Sequence, residues 1–251
     1  MNNLTITIAI VSLLTGCGGS KVLKEPEPLV LTQALAAASD ERLSATLDWV
    51  IVRDGPGTWA RNVDWDQYLV RVRNLGSESL EITNISVVDS LAVLIEPGYS
   101  RKGLIKGTKS AKRRYKGEGL KVKAGAGAGT LLLGAAATGV TVASFGAAAA
   151  LSSSAMAGAA VGGLVLAPVL AVGGVLRGVN NSKVNNQIEL RQTLLPLELS
   201  GEEEKAFDVF FPLTPSPRRI EIRYVDGRGE QLLVVDTQAA LDGLHLAEGD
   251  E

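Results

Sequence analysis

Residues 68–88 read YLVRVRNLGSESLEITNISVV. Tyr68, Val70 and Val72 alternate with Arg71 and Arg73, and an apolar series resumes at Leu80, Ile82, Ile85 and Val87. Successive side chains of a strand point to opposite faces, so a period of two marks strands with one buried side. Between them Asn74 to Ser77 carries the Asn and Gly of a turn, and the pattern predicts a β-hairpin.

Working outward, residues 43–52 set Ala45, Leu47, Trp49 and Ile51 on one face of an earlier strand, ended by Asp54, Gly55, Pro56 and Gly57. Downstream, residues 194–199 and 206–213 read as strands. Ile220, Ile222 and Tyr224 then alternate with Arg219, Glu221 and Arg223, and a turn at residues 226–229 leads into 231–236. Neither half has enough strands to bury two faces, but together they supply about the seven or eight of an antiparallel sandwich. The expected fold is mainly β with an α insertion. It is an antiparallel sandwich, immunoglobulin-like in pattern, with halves at 43–97 and 187–237 split by an Ala/Gly-rich helical hairpin. Trp49, Trp59, Trp65, Phe207, Phe210 and Phe211 are its candidate large core residues.

The chain has 251 residues, 46% of them apolar, and a net charge of −2, which excludes a strongly charged disordered protein. One Cys and one His leave no material for a disulfide framework, a multi-cysteine metal site or a His-based zinc site. The small net charge hides segregation. Residues 101–123 carry 10 basic side chains and 1 acidic one, both flanks are acidic, and residues 124–176 carry no charge at all.

At the N-terminus, a short apolar run over residues 4–14 ends in Leu14, Thr15, Gly16 and Cys17. This resembles the lipobox of bacterial lipoproteins, in which the Cys becomes the first mature residue and is acylated. The resemblance implies a signal peptide over 1–16, lipidation at Cys17 and a membrane-lipid anchor. Two or more acyl chains at about 0.8 kcal/mol per buried CH₂ make such an anchor effectively permanent. In the family pattern an Asp after the Cys favours the inner membrane, so Gly18 implies the outer membrane, with the protein on the periplasmic face. Residues 17–42 then read as a tether, with a short helix expected within 31–39.

The 53 residues from 124 to 176 include 17 Ala and 11 Gly. At ~20 residues per crossing they fit two membrane-spanning helices, expected over 124–178 with a turn near Ser152 to Ser154. Small residues at Gly125, Gly129, Ala135, Gly139, Ala143 and Ala147, and at Ser154, Gly158 and Gly162, would let helix backbones approach closely. The stretch resembles the glycine-zipper two-transmembrane segment of envelope lipoproteins, which implies association in the envelope and homo-oligomers. A soluble helix pair packed on the sandwich and an unstructured low-complexity segment are the alternatives.

The cations of the linker over 98–123 are Arg101, Lys102, Lys106, Lys109, Lys112, Arg113, Arg114, Lys116, Lys121 and Lys123. Just before an apolar hairpin they would lie at headgroup level and attract anionic lipid or the phosphates of lipopolysaccharide. The alternative is a solvated linker pairing loosely with the acidic sandwich. Nucleic acid is not an expected partner, because aromatic residues do not interleave with these charges.

Catalytic patterns fail. Gly107 to Ser110 lacks the earlier Gly and leading strand of a phosphate loop, and Thr130 stands where Gly125, Gly127 and Gly129 would need a dinucleotide loop's third glycine. Ser100 and Ser144 lack the flanking glycines of a nucleophile elbow, and Glu202 to Glu204 read as a charged turn. His245, in an acidic tail over 238–251, reads as a frayed residue, satisfied or solvent-exposed. The expectation is a non-enzymatic outer-membrane lipoprotein of envelope structure or assembly, without cofactor or metal. The alternative is a periplasmic binding or chaperone-like module whose hairpin packs on the soluble sandwich.

Overall fold

The computed structural model describes residues 20–26, 29, 33–127 and 181–247. It is mainly β, and its sheets are antiparallel. In chain order the strands are β1 (Lys21–Val22), β2 (Ala36–Ser39), β3 (Leu43–Ile51), β4 (Ala60–Arg61), β5 (Trp65–Asn74), β6 (Leu80–Val88) and β7 (Leu94–Ile95). Helix α1 (Arg101–Gly117), β8 (Val122–Gly127) and α2 (Asn181–Arg191) follow. The chain closes with β9 (Leu197–Leu199), β10 (Glu204–Pro212), β11 (Arg219–Asp226), β12 (Gly229–Asp236), α3 (Gln238–Leu241) and β13 (Leu244–Leu246).

One sheet runs β10-β5-β3-β2 and a second β12-β11-β6-β7, with β9 also on β6. Their inward rows make one cluster, with Leu43, Leu47, Val70 and Phe211 from the first sheet and Ile82, Ile85, Ile222 and Val235 from the second. Strands from both sides of residues 128–180 therefore interleave in each sheet.

The predicted hairpin is corrected. β5 lies between β3 and β10 with both edges paired, so it has no ladder left for β6, which pairs with β11 in the other sheet. The turn is a corner between sheets. Its polar backbone is satisfied by the turn before β10: Glu202 N–H donates to Gly76 O at 2.9 Å and Asn74 N–H to Glu203 O at 2.9 Å. The Asn74 amide donates to Glu78 O at 2.7 Å and Ser200 O at 2.9 Å. Gly201 packs so tightly there that a Cβ would stand 2.1 Å from Ser77 O. Alternation cannot distinguish this corner from a hairpin, because both bury the same faces.

Other local expectations also change. A register shift between Leu47 and Trp49 puts Val50 opposite Tyr68, so Trp49 and Ile51 leave the face of Ala45 and Leu47. The short helix expected within 31–39 is strand β2, whose Ala36 and Ala38 extend the sheet and pack on the core. Within the tether, β1 pairs with β4. Residues read as a basic linker form α1, and 187–191 belong to α2. Residues 238–247 of the tail are not frayed: α3 and β13 bury Leu241, Leu244 and His245.

Both faces of the first sheet are covered at one end. Against its outer side lies a second cluster of Trp59, Trp65, Leu104, Val184, Ile188 and Phe210, joining α1 and α2 to the sheet. All six expected aromatic core residues are buried, divided between the two clusters. Gly107 lets α1 approach β10, since a Cβ there would meet Pro212 Cγ at 2.4 Å. Among the described residues no helix is long and apolar enough to cross a membrane.

Candidate functional site

Helix α1 starts at Ser100, whose side chain accepts from Gly103 N–H, and ends as Leu120 N–H returns to Tyr115 O past Gly119 at φ +74°. Its buried residues are Leu104, Thr108, Ala111 and Tyr115. The Thr108 hydroxyl donates to Asp64 O and accepts from Leu213 N–H, while the Tyr115 hydroxyl meets Ser90 Oγ at 2.7 Å and Pro215 O at 3.2 Å. Burial pushes the Tyr115 phenol up, so it stays a neutral anchor.

The opposite face is cationic. Lys102, Lys106, Lys109, Arg113 and Lys116 are all exposed. At 100° per residue their spacing confines them to an arc of about 80°, centred roughly opposite the buried row. The row is about 21 Å long at 1.5 Å per residue. Among the described residues none of the five makes an ion pair. Lys102, in the first turn, opposes the helix dipole, so helix stability does not account for it. Exposed Lys121 and Lys123 continue the charge into β8, with exposed Tyr99 and Leu120 at the two ends of the helix.

The ten predicted cations therefore divide. Three turn toward the body: Arg114 lies 3.1 Å from the fully buried Asp89 carboxylate, Lys112 lies 3.7 Å from Asp64, and Arg101 Nε donates to Ser20 Oγ at 3.2 Å. These fasten the helix, and seven remain outward. Alternating spacings of four and three residues along Lys102, Lys106, Lys109, Arg113 and Lys116 were the sequence signal for this division, legible only once the segment is known to be helical.

Gly125 is corrected as a helix-packing residue. It lies in β8 at φ +94°, a backbone angle outside the α-helix, where a Cβ would meet Arg53 O at 3.4 Å. Cys17, Gly129, Ala135, Gly139, Ala143, Ala147, Ser154, Gly158 and Gly162 lie outside the described residues. No family model, curated protein or solved structure matches the chain. Helix α1 packs against β8, which holds the first residues of the charge-free stretch, and against α2, which begins at Asn181.

Sequence reasoning missed two polar clusters because their members are far apart in the chain. His245 Nε2 lies 2.6 Å from Asp66 Oδ2, with both side chains fully buried. Arg191 stacks over Trp59 at 5.0 Å, and Trp59 Nε1–H donates to Gln67 Oε1 at 2.7 Å. Burial pushes the Asp208 carboxyl up and the Arg191 guanidinium down. Neither cluster pairs a nucleophile with a base, and no group of three or more His, Cys, Asp or Glu that could hold a metal occurs among the described residues.

Proposed function

We propose that this chain is a non-enzymatic lipoprotein of the bacterial outer membrane, held on the periplasmic face by acylated Cys17. In this reading the β body is a split immunoglobulin-like sandwich serving envelope structure or assembly. Residues 124–176 form the membrane-associating, oligomerising hairpin, and α1 rests its cationic row on anionic headgroups. The observation that carries it is the one-faced cation row of α1, a helix that packs against β8, where a 53-residue stretch without charge begins. A solvated helix has no need to separate its cations from all acidic neighbours. Five cations at about 1 kcal/mol each near an anionic surface suffice to orient a protein already tethered by lipid.

The test removes the acyl chain. Full-length Cys17→Ser, exported through a heterologous signal, should remain with membranes through alkaline-carbonate extraction, and deletion of 124–176 should release it. Complete extraction of Cys17→Ser would overturn the integral hairpin and favour the chaperone-like module.

A further inference from the structure

Cys17 stands three residues before a segment that the body holds fast. Ser20 is 3% exposed; its hydroxyl donates to Asn62 O at 3.1 Å and accepts from Arg101 Nε at 3.2 Å. Lys21 and Val22 then pair with Arg61 and Ala60, and Leu23 N–H donates to Trp59 O at 2.8 Å. Further on, Leu29 is buried in the main cluster. Consecutive Cα atoms are about 3.8 Å apart, so the Cα of Cys17 lies no more than about 11 Å from that of Ser20. A free coil over 17–42 would span roughly 28 Å. The leash expected over 17–42 is therefore short, and its fixed end is at the start of α1.

The β1–β4 ladder has two different faces. Val22 and Ala60, opposite each other, turn inward onto the cluster beneath α1 and α2. Lys21 and Arg61, also opposite each other, are exposed on the outer face. Side chains directly opposite on antiparallel strands have Cβ atoms about 5 Å apart, and like charges placed there destabilise the pairing. Among the described residues neither Lys21 nor Arg61 makes an ion pair that would relieve this. Strands of two residues have little pairing of their own, so stability does not account for two cations at this position. An anion between them does. Exposed Lys24 follows the ladder and exposed Lys102 follows the Arg101 that holds Ser20, against one carboxylate, Glu25, in residues 20–26.

We propose that the outer face of the β1–β4 ladder is a docking surface for anionic phospholipid, with Lys21 and Arg61 sharing one headgroup phosphate. The inference rests on the acylation of Cys17, which sets the acyl chains within about 11 Å of the ladder. A phosphate diester offers two free oxygens and one negative charge, one oxygen for the Lys21 ammonium and one for the Arg61 guanidinium. The potential of an anionic leaflet falls off over a Debye length of about 8 Å at physiological salt, and the short leash keeps both cations at that depth. The body is then held in one orientation. The helix-covered side of the first sheet, which carries β1, β4 and α1, lies toward the lipid, and the outer face of β12, with exposed Leu232 and Val234, lies away from it.

The test places the acylated full chain on vesicles of phosphatidylglycerol and phosphatidylethanolamine and labels it with a membrane-impermeant amine reagent, each lysine being read by mass spectrometry. Reference rates come from the Cys17→Ser chain in nonionic detergent. Lys21 should react at least about fivefold more slowly on vesicles. Lys205, about 17 Å along β10 from Phe210 and the helix-covered end, should keep its rate. Arg61→Gln should return Lys21 toward its reference rate and leave Lys106 slow. Slow Lys106 and Lys109 with an unchanged Lys21, or a Lys21 still slow in Arg61→Gln, would overturn this docking face and leave the reading of α1 standing. An unacylated Cys17, or reference rates at every lysine, would overturn the membrane reading and this face together.

Discussion

The cluster between the two sheets and the cluster beneath α1 and α2 are both apolar, yet they are encoded differently. The first draws on strand rows such as Tyr68, Val70 and Val72, or Ile220, Ile222 and Tyr224, each visible as alternation in a short window. The second takes Trp65 and Phe210 from the outward rows of β5 and β10 and joins them to Leu104, Val184 and Ile188. A residue on the polar side of a strand is apolar there because a helix from elsewhere covers it. The difference separates a body that folds on its own pattern from a layer added at one end, and that layer carries the cations.

Substitutions can break this comparison. Ile222→Ala, in the main cluster, should cost about 2–5 kcal/mol and lower the whole thermal transition, because both sheets lose packing there. Leu104→Ala should cost about 2–4 kcal/mol, with hydrogen exchange rising first in α1 and α2 while β3 and β5 stay protected. Equal loss of protection in all of them would make the two clusters one cooperative unit. Gly107→Ala should destabilise by about 1–3 kcal/mol in chemical denaturation despite alanine's better helix propensity, because Pro212 occupies the space. Lys106→Glu with Arg113→Glu should change stability by no more than about 0.5 kcal/mol, since both side chains are exposed and unpaired among the described residues. The same pair should weaken binding of the Cys17→Ser protein to vesicles of anionic phospholipid by at least about tenfold, measured by flotation at low salt.

Much of the body was legible locally. The strands at β3, β5, β10, β11 and β12 follow from periods of two and from turn residues, and interleaving of the two halves follows from each having too few strands to bury its own faces. The partner of each strand was not legible. β5 and β6 are adjacent in sequence and patterned as a hairpin, but occupied edges on β5 send β6 to the other sheet. Helix α1 was hidden because its buried row includes Thr108 and Ala111 and its outward row is so rich in lysine that composition suggests a linker. His245, near an acidic terminus, carried no local mark of burial, and its partner is 179 residues away.

The sequence by itself determined the segregation of charge, the charge-free stretch and the alternating β pattern, because each is a property of neighbouring residues. Tertiary structure decided which cations face outward, which strands pair, and that β13 lies against β8 with His245 buried on Asp66. Those depend on edges, coverage and desolvation, which exist only when distant segments meet.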